Sequence, residues 1–323
     1  MHMRVLFFGA TEIGHRCCRQ LLEMGEEVVG IFSIPERFQI SYSIGPVRNV
    51  MFRSFEGLAA DAGVPLIYVT GNMTDPGCEE AVRRLEPDFG LVIGWYYLIP
   101  KSLRQVFSRG VAGIHASLLP RYRGGAPLVW AIINGESATG VSLFYLADGV
   151  DDGDLIAQQK FPIGSDDDIR AVHDRAAEAS VELISQYTPM IRRGNAPRIP
   201  QDNTQAERFP QRSPEDGLIP WETKSARQVH DWIRAQTRPY FGAYSCLEGE
   251  RIVVWRSLLS DATAPPTAGP GTLVVNGDAL SVSCRDGRLL ELREVGLEDG
   301  SVATGFEFAK IRGLGTGQSF DAA

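Results

Sequence analysis

Hydrophobic positions in the first half of the chain follow two alternating patterns. Short apolar runs, such as RVLFFG at 4–9 and VAGIH at 111–115, are separated by longer segments in which apolar residues recur every three to four positions. Short continuous runs are typical of strands buried on both faces of a parallel sheet, and the longer spacing is typical of amphipathic helices. This part of the chain therefore predicts a doubly wound α/β domain. Its predicted strands are 4–9, 27–33, 65–69, 89–95, 111–115 and 140–149, and its predicted helices are 11–25, 54–62, 78–85, 101–107, 127–135 and 167–194.

The hydrophobic pattern changes near residue 200. Residues 201–220 are mostly polar and contain prolines, which is typical of a linker. One helix is predicted at 225–236, and the short apolar runs after it, separated by Gly- and Asp-containing turns, favour a small barrel or sandwich. We therefore expect a first domain over 1–200, a linker over 201–220 and a second domain over 221–323. The predicted strands of the second domain are 243–249, 251–257, 271–277, 279–287 and 289–297.

Composition narrows the classes of function. The 323-residue chain carries 32 Lys+Arg and 40 Asp+Glu, a net charge of −8. Broad polyanion binding needs a basic face, whereas a small anion needs only a few arginines. The five cysteines show no CxxC pair and no ligand spacing, so we expect reduced thiols and no metal. No apolar run approaches the roughly 18–20 residues of a membrane span, and the first strand leaves no room for a signal peptide, so we expect a soluble cytoplasmic protein without a membrane partner.

A nucleotide-binding reading of the first strand–helix turn is weak. The turn reads GATEIG at 9–14, and Thr11 occupies the position where a dinucleotide fingerprint needs its second glycine. The side chain of Thr11 would obstruct the approach of a pyrophosphate. A Gly-x-x-x-x-Gly-Lys phosphate loop is also missing from the sequence, so neither a nicotinamide dehydrogenase nor a P-loop hydrolase is expected.

Candidate chemistry gathers around His115. This histidine ends the predicted strand 111–115, and open α/β sheets place their ligand sites at the carboxyl ends of strands. The next predicted strand, 140–149, runs into the acidic turn ADGVDDGD at 147–154. Acidic turns are most often turn residues and helix caps. Together with a strand-end histidine, however, this one suggests an Asp–His pair that orients an imidazole or accepts a proton.

These residues also carry a family resemblance. HASLLPRYRG at 115–124 is followed, 36 positions after His115, by the first aspartate of DDGD, Asp151, and this arrangement resembles the folate-dependent formyltransferases. The family includes methionyl-tRNA formyltransferase, sugar-nucleotide N-formyltransferases and the domain that formylates UDP-4-amino-4-deoxy-L-arabinose. Residues 213–257 are similar to the linker, helix and first barrel strands of these enzymes. The resemblance implies a Rossmann-like parallel-sheet domain followed by an OB-like β-barrel, and a one-carbon transferase whose formyl donor is N10-formyltetrahydrofolate.

The resemblance also implies the site residues. His115 matches the family's catalytic histidine and Asp151 its catalytic aspartate. The loop after strand 89–95 and the loop before Asp151 would contact the folate, mainly through backbone. The residues matched to folate binding are Tyr97, Leu98, Ile99, Ala147, Asp148, Gly149 and Val150.

The chain departs from the family pattern at Gly113. The family has an asparagine two positions before the histidine, and a glycine offers no side-chain amide to the oxyanion. Losing one such donor typically costs about 10²- to 10³-fold in rate. Four interpretations follow: a slow or inactive homologue, replacement of the amide by another residue or water, use of the vacated space by a modified acceptor, or a shift to hydrolysis of the folate donor.

The acceptor is the least determined feature. A tRNA substrate predicts a basic surface, but residues 207–323 hold 13 Lys+Arg against 16 Asp+Glu. We therefore expect a small-molecule amine, in the first place an amino-sugar nucleotide, whose diphosphate Arg121 and Arg123 would bind unless they are merely solvated loop arginines. Methionyl-tRNA is the alternative acceptor, and an inactive or redirected folate-binding homologue is a further alternative. The sequence leaves open whether the protein forms a homo-oligomer.

Overall fold

The computed structural model describes residues 2–40, 43, 45–297 and 300–321. Its helices and strands, numbered in chain order, form two compact units. The first unit comprises Met1–Pro127, Ala138–Pro162 and His173–Phe209, and the second comprises Leu128–Ser137, Ile163–Val172 and Pro210–Ala323.

The first unit is built on a mixed seven-stranded sheet with the order β10-β9-β7-β6-β1-β2-β5. Strands β5, β2, β1, β6 and β7 are parallel, as their apolar runs predict, whereas β9 is antiparallel to β7 and β10 is antiparallel to β9. The strands of this unit are β1 (Arg4–Phe8), β2 (Glu27–Ser33), β3 (Arg37–Phe38), β4 (Val47–Arg48), β5 (Leu66–Tyr68), β6 (Phe89–Ile93), β7 (Val111–His115), β8 (Arg123–Gly124), β9 (Ala138–Tyr145), β10 (Leu155–Pro162) and β11 (Arg208–Phe209).

Strand β10 was not predicted from the sequence. It lies at the edge of the sheet, and the middle of LIAQQKFP is exposed, so it has no continuous apolar run. The helices up to residue 193 match the predicted segments, with shorter ends except for α3, which begins two residues earlier than predicted. They are α1 (Glu12–Glu23), α2 (Glu56–Ala62), α3 (Pro76–Arg84), α4 (Lys101–Arg104), α5 (Pro127–Ile133) and α6 (Ile169–Arg193).

The amino-terminal end of α1 is covered by the chain itself. Thr11 caps the helix, and the Glu12 amide donates to the carbonyl of Met51 at 3.0 Å. The buried side chain of Asn49 donates to the Ala10 carbonyl at 2.8 Å. Backbone therefore lies where a Rossmann enzyme would receive a pyrophosphate.

The second unit contains an antiparallel sheet with the order β12-β13-β16-β15-β14, and β17 pairs with β16. The predicted short strands are confirmed, although β13 extends six residues beyond the predicted end at 257. Closure into an OB-like barrel stays a prediction. The elements are α7 (Ala226–Gln236), β12 (Ala243–Leu247), β13 (Glu250–Thr263), β14 (Leu273–Asn276), β15 (Ala279–Ser283), β16 (Arg288–Gly296), β17 (Val302–Ala303) and α8 (Gly305–Arg312).

Two helices cover hydrophobic residues of the second unit. Helix α7 begins with a capping box between Ser225 and Gln228, and it buries Val229 and Ile233. Helix α8 was missed because GFEFAKIR has no helical periodicity of apolar residues, yet Phe308 is buried in the same core. No helix within the described ranges is long and apolar enough to cross a membrane.

Candidate active site

His115 lies at the last residue of β7, as predicted, and both of its ring nitrogens face oxygen atoms. Nε2 lies 2.7 Å from the Tyr122 carbonyl, and Nδ1 lies 3.5 Å from Oδ2 of Asp151. A carbonyl and a carboxylate are both acceptors, and an imidazole donates through two N–H groups only when it is protonated. The side chain of His115 is 12% exposed and that of Asp151 is 20% exposed, so a small group in solution can reach the pair.

Asp151 reaches His115 by a route that the sequence did not indicate. The sequence reading placed the acidic turn at a second strand end, beside His115. Because β9 is antiparallel to β7, His115 pairs with Ser142, and Tyr145 at the end of β9 pairs with Ala112 at the other end of β7. The loop after β9 must turn back toward His115 to bring Asp151 there.

Asp151 adopts an unusual backbone conformation. Its φ is +54°, in the left-handed region that Asp and Asn tolerate better than most other residues. Its Oδ2 accepts a hydrogen bond from the Gly124 amide at 2.9 Å. The same oxygen therefore faces His115 and is held by backbone of the loop that follows β7.

The loop after β7 supplies backbone groups to the site. Tyr122 has a φ of +58°, its carbonyl contacts His115, and its ring stacks on Phe209 with centroids 4.6 Å apart. Gly124 has a φ of +96° and pairs with Phe209 in the short β8–β11 ladder. The ring stacking and the β8–β11 ladder together fix the loop after β7 against β11.

The two arginines predicted to bind substrate lie in different environments. Arg123 is only 3% exposed, and its guanidinium donates to Oε1 of Gln201 at 2.7 and 3.2 Å and to Asn203 at 2.9 Å. Arg121 is 49% exposed at its side chain and forms an ion pair with Glu207 at 3.1 Å. Only Arg121 is thus presented to solvent.

The two predicted folate loops are tied together by Arg104. This side chain donates to the carbonyls of Ile99 and Leu146 at 3.2 and 3.3 Å, and it pairs with Asp148 at 2.5 Å. Lys101 also pairs with Asp148, and hydrogen bonds from Arg104 and Lys101 hold the pKa of the Asp148 carboxyl below its usual value. Within these loops Leu98 is 74% exposed, Ile99 is buried, and residues 147–150 are exposed.

The first loop also contains an indole donor that the sequence analysis did not single out. Nε1 of Trp95 is buried and has no hydrogen-bond partner. Its ring packs edge-on against Tyr97 and Phe8. A buried donor left without a partner is costly unless a ligand or water supplies an acceptor. The first loop therefore holds one buried donor that a bound ligand could satisfy.

Gly113 has no space for a side chain. It lies between Val92 in β6 and Phe144 in β9, and a Cβ at this position would come within 2.9 Å of the Val92 carbonyl oxygen and 3.1 Å of Leu146 Cδ1. Leu146 therefore occupies the space that a side chain at 113 would need. The interpretation that a modified acceptor uses vacated space at Gly113 does not fit this packing.

Gln201 was also missed, because it falls in the polar segment that the sequence marks as a linker. It is 9% exposed, and its Nε2 donates to the carbonyls of Asp151 and Gly153 at 2.9 and 2.7 Å. No spacing rule points to such a residue. Arg104 was missed too, because it lies on a short helix and contacts Leu146, 42 positions away in sequence, only through the fold.

Two further histidines are buried on helices. His15 is buried on α1 beside Phe55, and burial lowers its pKa. His230 is buried on α7 with Nδ1 3.0 Å from the Ser257 hydroxyl. Within the described part of the chain, no three His, Cys, Asp or Glu side chains are grouped to hold a metal ion.

Comparison with known proteins places this geometry in a family. Residues 3–188 match the family model described as "Formyl transferase", and residues 212–313 match "Formyl transferase, C-terminal domain". The chain is 33% identical to a protein named methionyl-tRNA formyltransferase from Geobacter sulfurreducens, over 92% of this chain and 90% of the relative. It therefore belongs to the formyl transferase family, an enzyme family whose formyl donor is a formyl-tetrahydrofolate.

Solved structures agree on the fold. An N-formyltransferase from Helicobacter canadensis, solved with folinic acid and dTDP-3-aminofucose, superposes with a TM-score of 0.67 at 18% identity, over 90% of this chain and 99% of the other. A HypX variant from Aquifex aeolicus superposes with a TM-score of 0.65 at 18% identity over 98% of this chain, which spans half the length of HypX. At this identity the likeness concerns the fold alone.

Proposed function

We propose that this chain transfers the formyl group of N10-formyltetrahydrofolate to a primary amine, with His115 and Asp151 as its catalytic residues. The observation that supports the proposal most directly is the approach of Asp151 Oδ2 to within 3.5 Å of His115 Nδ1. It joins two distant segments of a chain that belongs to the formyl transferase family. The donor, when bound, supplies an electrophilic formyl carbon for an amine to attack.

In this proposal His115 stabilises developing charge. Negative charge builds up on the formyl oxygen as the amine adds, and a fixed N–H donor aimed at that oxygen supplies one of the largest single catalytic terms. Nε2 donates to the Tyr122 carbonyl in this structure, and in this proposal the same N–H is shared with the formyl oxygen once the donor is bound. The Asp151 carboxylate faces the other ring nitrogen, with Oδ2 3.5 Å from Nδ1.

Asp151 also serves as the proton acceptor. An ammonium group must lose a proton before it can attack, and a carboxylate in reach of the amine can receive it. One edge of the carboxylate is fixed by the Gly124 amide. Since the side chain remains 20% exposed, an incoming amine can still approach it.

The folate would lie along the two loops that Arg104 joins. We assign its binding to the predicted residues, with the unpartnered Nε1 of Trp95 as an additional donor. The ion pairs of Asp148 with Lys101 and Arg104 fix the second loop rather than leaving that carboxylate to the ligand. The folate-contacting residues in this proposal are Tyr97, Leu98, Ile99, Ala147, Asp148, Gly149 and Val150.

We propose methionyl-tRNA as the first acceptor to test. The relative from Geobacter sulfurreducens and one from Citrifermentans bemidjiense, 33% and 34% identical over 92% of this chain, are both named for that reaction. We therefore put methionyl-tRNA before an amino-sugar nucleotide, although the net charge alone favours the sugar nucleotide.

An amino-sugar nucleotide is the second candidate acceptor. The net charge of −3 over residues 207–323 opposes binding of a polyanion there. In this case Arg121, which is exposed and forms an ion pair with Glu207, is the predicted arginine that a diphosphate can reach. Arg123 is given no substrate contact, since its buried guanidinium already bonds Gln201 and Asn203.

The experiment measures acceptor-dependent release of tetrahydrofolate. The purified chain is incubated with N10-formyltetrahydrofolate and either charged methionyl-tRNA, a set of amino-sugar nucleotides, or no acceptor. Release that requires one acceptor supports transfer and identifies the substrate. Equal release with and without acceptor indicates hydrolysis of the donor instead. No release, in a chain that binds the folate, would mean that the site has lost its chemistry.

A further inference from the structure

The position of Asp151 needs support that its own loop does not provide. The residue combines a φ of +54° with a carboxylate aimed at His115. The neighbouring residues 147–150 are exposed and include Gly149. A non-glycine residue keeps a left-handed conformation only where surrounding structure enforces it. The enforcing groups must therefore come from elsewhere in the fold.

Gln201 provides those groups. Its Nε2 donates to the backbone carbonyl of Asp151 at 2.9 Å and to that of Gly153 at 2.7 Å. These two bonds use both N–H groups of the amide. They bracket Asp152 and hold the turn at the residue whose side chain faces His115.

Arg123 fixes which way the Gln201 amide points. A guanidinium can only donate, so the amide oxygen must face it, and the amide nitrogen must then face the two carbonyls. The donor atoms Nη2 and Nε of Arg123 lie 2.7 and 3.2 Å from Gln201 Oε1. Both side chains are at least nine-tenths buried. These contacts therefore fit only one of the two possible orientations of the Gln201 amide.

Arg123 is also placed to act on both catalytic groups. It sits between Tyr122, whose carbonyl contacts His115, and Gly124, whose amide bonds Asp151 Oδ2. A shift of the Arg123 side chain would thus move the backbone partners of both residues. Gln201 is the element that joins this backbone to the Asp151 turn.

We propose that Gln201 is a positioning residue for the His115–Asp151 pair, acting through its buried contact with Arg123. The proposal rests on the proposed function for its catalytic meaning. Its structural claim is that the Asp151 carboxylate moves away from His115 when the Gln201 amide is removed.

The variants Gln201→Met and Gln201→Glu separate this role from simple stability. Methionine keeps the length without polar atoms, and glutamate keeps an acceptor for Arg123 but removes both N–H donors. We expect kcat to fall about 10- to 100-fold in each, because a catalytic group displaced by about 1 Å can cost that much, while KM for the formyl donor changes less than about threefold. The control for general destabilisation is Val5→Ala, which removes buried methyl groups from β1. A kcat for both Gln201 variants as high as that of Val5→Ala would overturn the proposal.

A double-mutant cycle tests the route of the effect. If Gln201 acts through Asp151, then Gln201→Met adds less than about twofold to the loss already caused by Asp151→Asn. If the two substitutions lower kcat independently, so that their effects multiply in the double variant, Gln201 does not act through Asp151 and the positioning role is contradicted.

A spectroscopic measurement does not depend on turnover. In protein labelled with ¹⁵N-histidine, the ring signals of His115, assigned with His115→Gln, should shift in Gln201→Met toward their position in Asp151→Asn, and should not shift in Val5→Ala. Unchanged His115 signals in folded Gln201 variants would overturn the proposal. If the wild-type chain transfers no formyl group but these signals shift as expected, the proposed function fails and the positioning role stands.

Discussion

Gly113 lies opposite Val92 in the β6–β7 ladder, and the Val92 carbonyl oxygen would lie 2.9 Å from any Cβ added at 113. On the other side, Leu146 Cδ1 would lie 3.1 Å from the same Cβ. Backbone cannot give way as a flexible side chain can. The site is therefore packed for glycine at the position where the family resemblance implies an asparagine, so any transfer by this chain must rely on donors other than an amide at 113.

The first prediction concerns this packing. Gly113→Ala and Gly113→Asn should destabilise the folded chain by about 1–3 kcal/mol, as overpacking typically does, and Gly113→Asn should not raise activity. Thermal unfolding and tetrahydrofolate release measure the two effects. Gly57→Ala is the matched control, since nothing lies within 4 Å of a Cβ there and the residue is in α2; it should be neutral or stabilising. Increased activity in Gly113→Asn, with stability unchanged, would show that the packing argument is wrong.

The second prediction concerns Asp151. Asp151→Asn should fold normally, because asparagine tolerates a left-handed conformation and its amide oxygen can still accept from Gly124. It loses the charge and the ability to accept a proton, so kcat should fall about 10²- to 10⁴-fold. Steady-state kinetics with the best acceptor, together with a melting curve, check this. Asp154→Asn, a change in the same acidic turn, should keep most of the activity; equal losses in both variants would contradict a specific role for Asp151.

The third prediction concerns Trp95. Trp95→Phe keeps an aromatic ring against Tyr97 but removes the buried N–H that has no partner. If the ligand supplies its acceptor, the affinity for a folate should fall about 3- to 30-fold, as expected for the loss of one buried hydrogen bond of about 1–2 kcal/mol. Calorimetric titration with tetrahydrofolate measures this directly. Trp221→Phe, in the second unit, is the control and should bind as the wild type does. Unchanged binding in Trp95→Phe would remove this residue from the folate site.

The fourth prediction concerns pH and stability. The pKa of buried His230 is lowered, mainly by burial and also by Arg234 and Arg227, although Asp231 and Asp166 oppose the shift. An unfolded histidine binds a proton near pH 6.5, so below that pH the unfolded state holds more protons than the native state. The free energy of unfolding should therefore fall as the pH drops below about 6.5.

Urea unfolding at several pH values between about 7.5 and 5 tests this sign. His230→Gln should show a shallower loss of stability toward low pH than the wild type. Val229→Ala, which removes buried methyl groups from the same helix, should lower stability at every pH without changing the slope. If the free energy of unfolding falls equally steeply with decreasing pH in His230→Gln and in the wild type, His230 is not the source of the pH dependence.

Periodicity predicted most elements of this fold. The five parallel strands are nearly continuous apolar runs, and all but β5 are largely buried, so their positions could be predicted from the sequence. Strand β10 and helix α8 could not, because β10 is an exposed edge strand and the apolar residues of α8 do not recur at helical spacing. The antiparallel direction of β9 was also missed, since a buried strand has the same apolar pattern in either direction.

The candidate site was accessible to sequence reasoning only in part. His115 stood out as a titratable residue at a strand end, and Asp151 was singled out within its acidic turn by the family resemblance. The supporting residues Gln201, Arg104 and Trp95 did not, since their roles depend on which distant backbone groups the fold brings to them. The buried location of Arg123 likewise follows from tertiary contacts with Gln201 and Asn203 that no local pattern indicates.

The most direct test of the central claim compares formyl transfer by the wild-type chain and by His115→Ala. With N10-formyltetrahydrofolate and charged methionyl-tRNA, or the amino-sugar nucleotide that performs best, the account predicts acceptor-dependent release of tetrahydrofolate. It also predicts that His115→Ala lowers that release at least about 100-fold while still binding the folate. Full activity in folded His115→Ala, or a wild-type chain that binds folate and transfers no formyl group to either acceptor class, would contradict it.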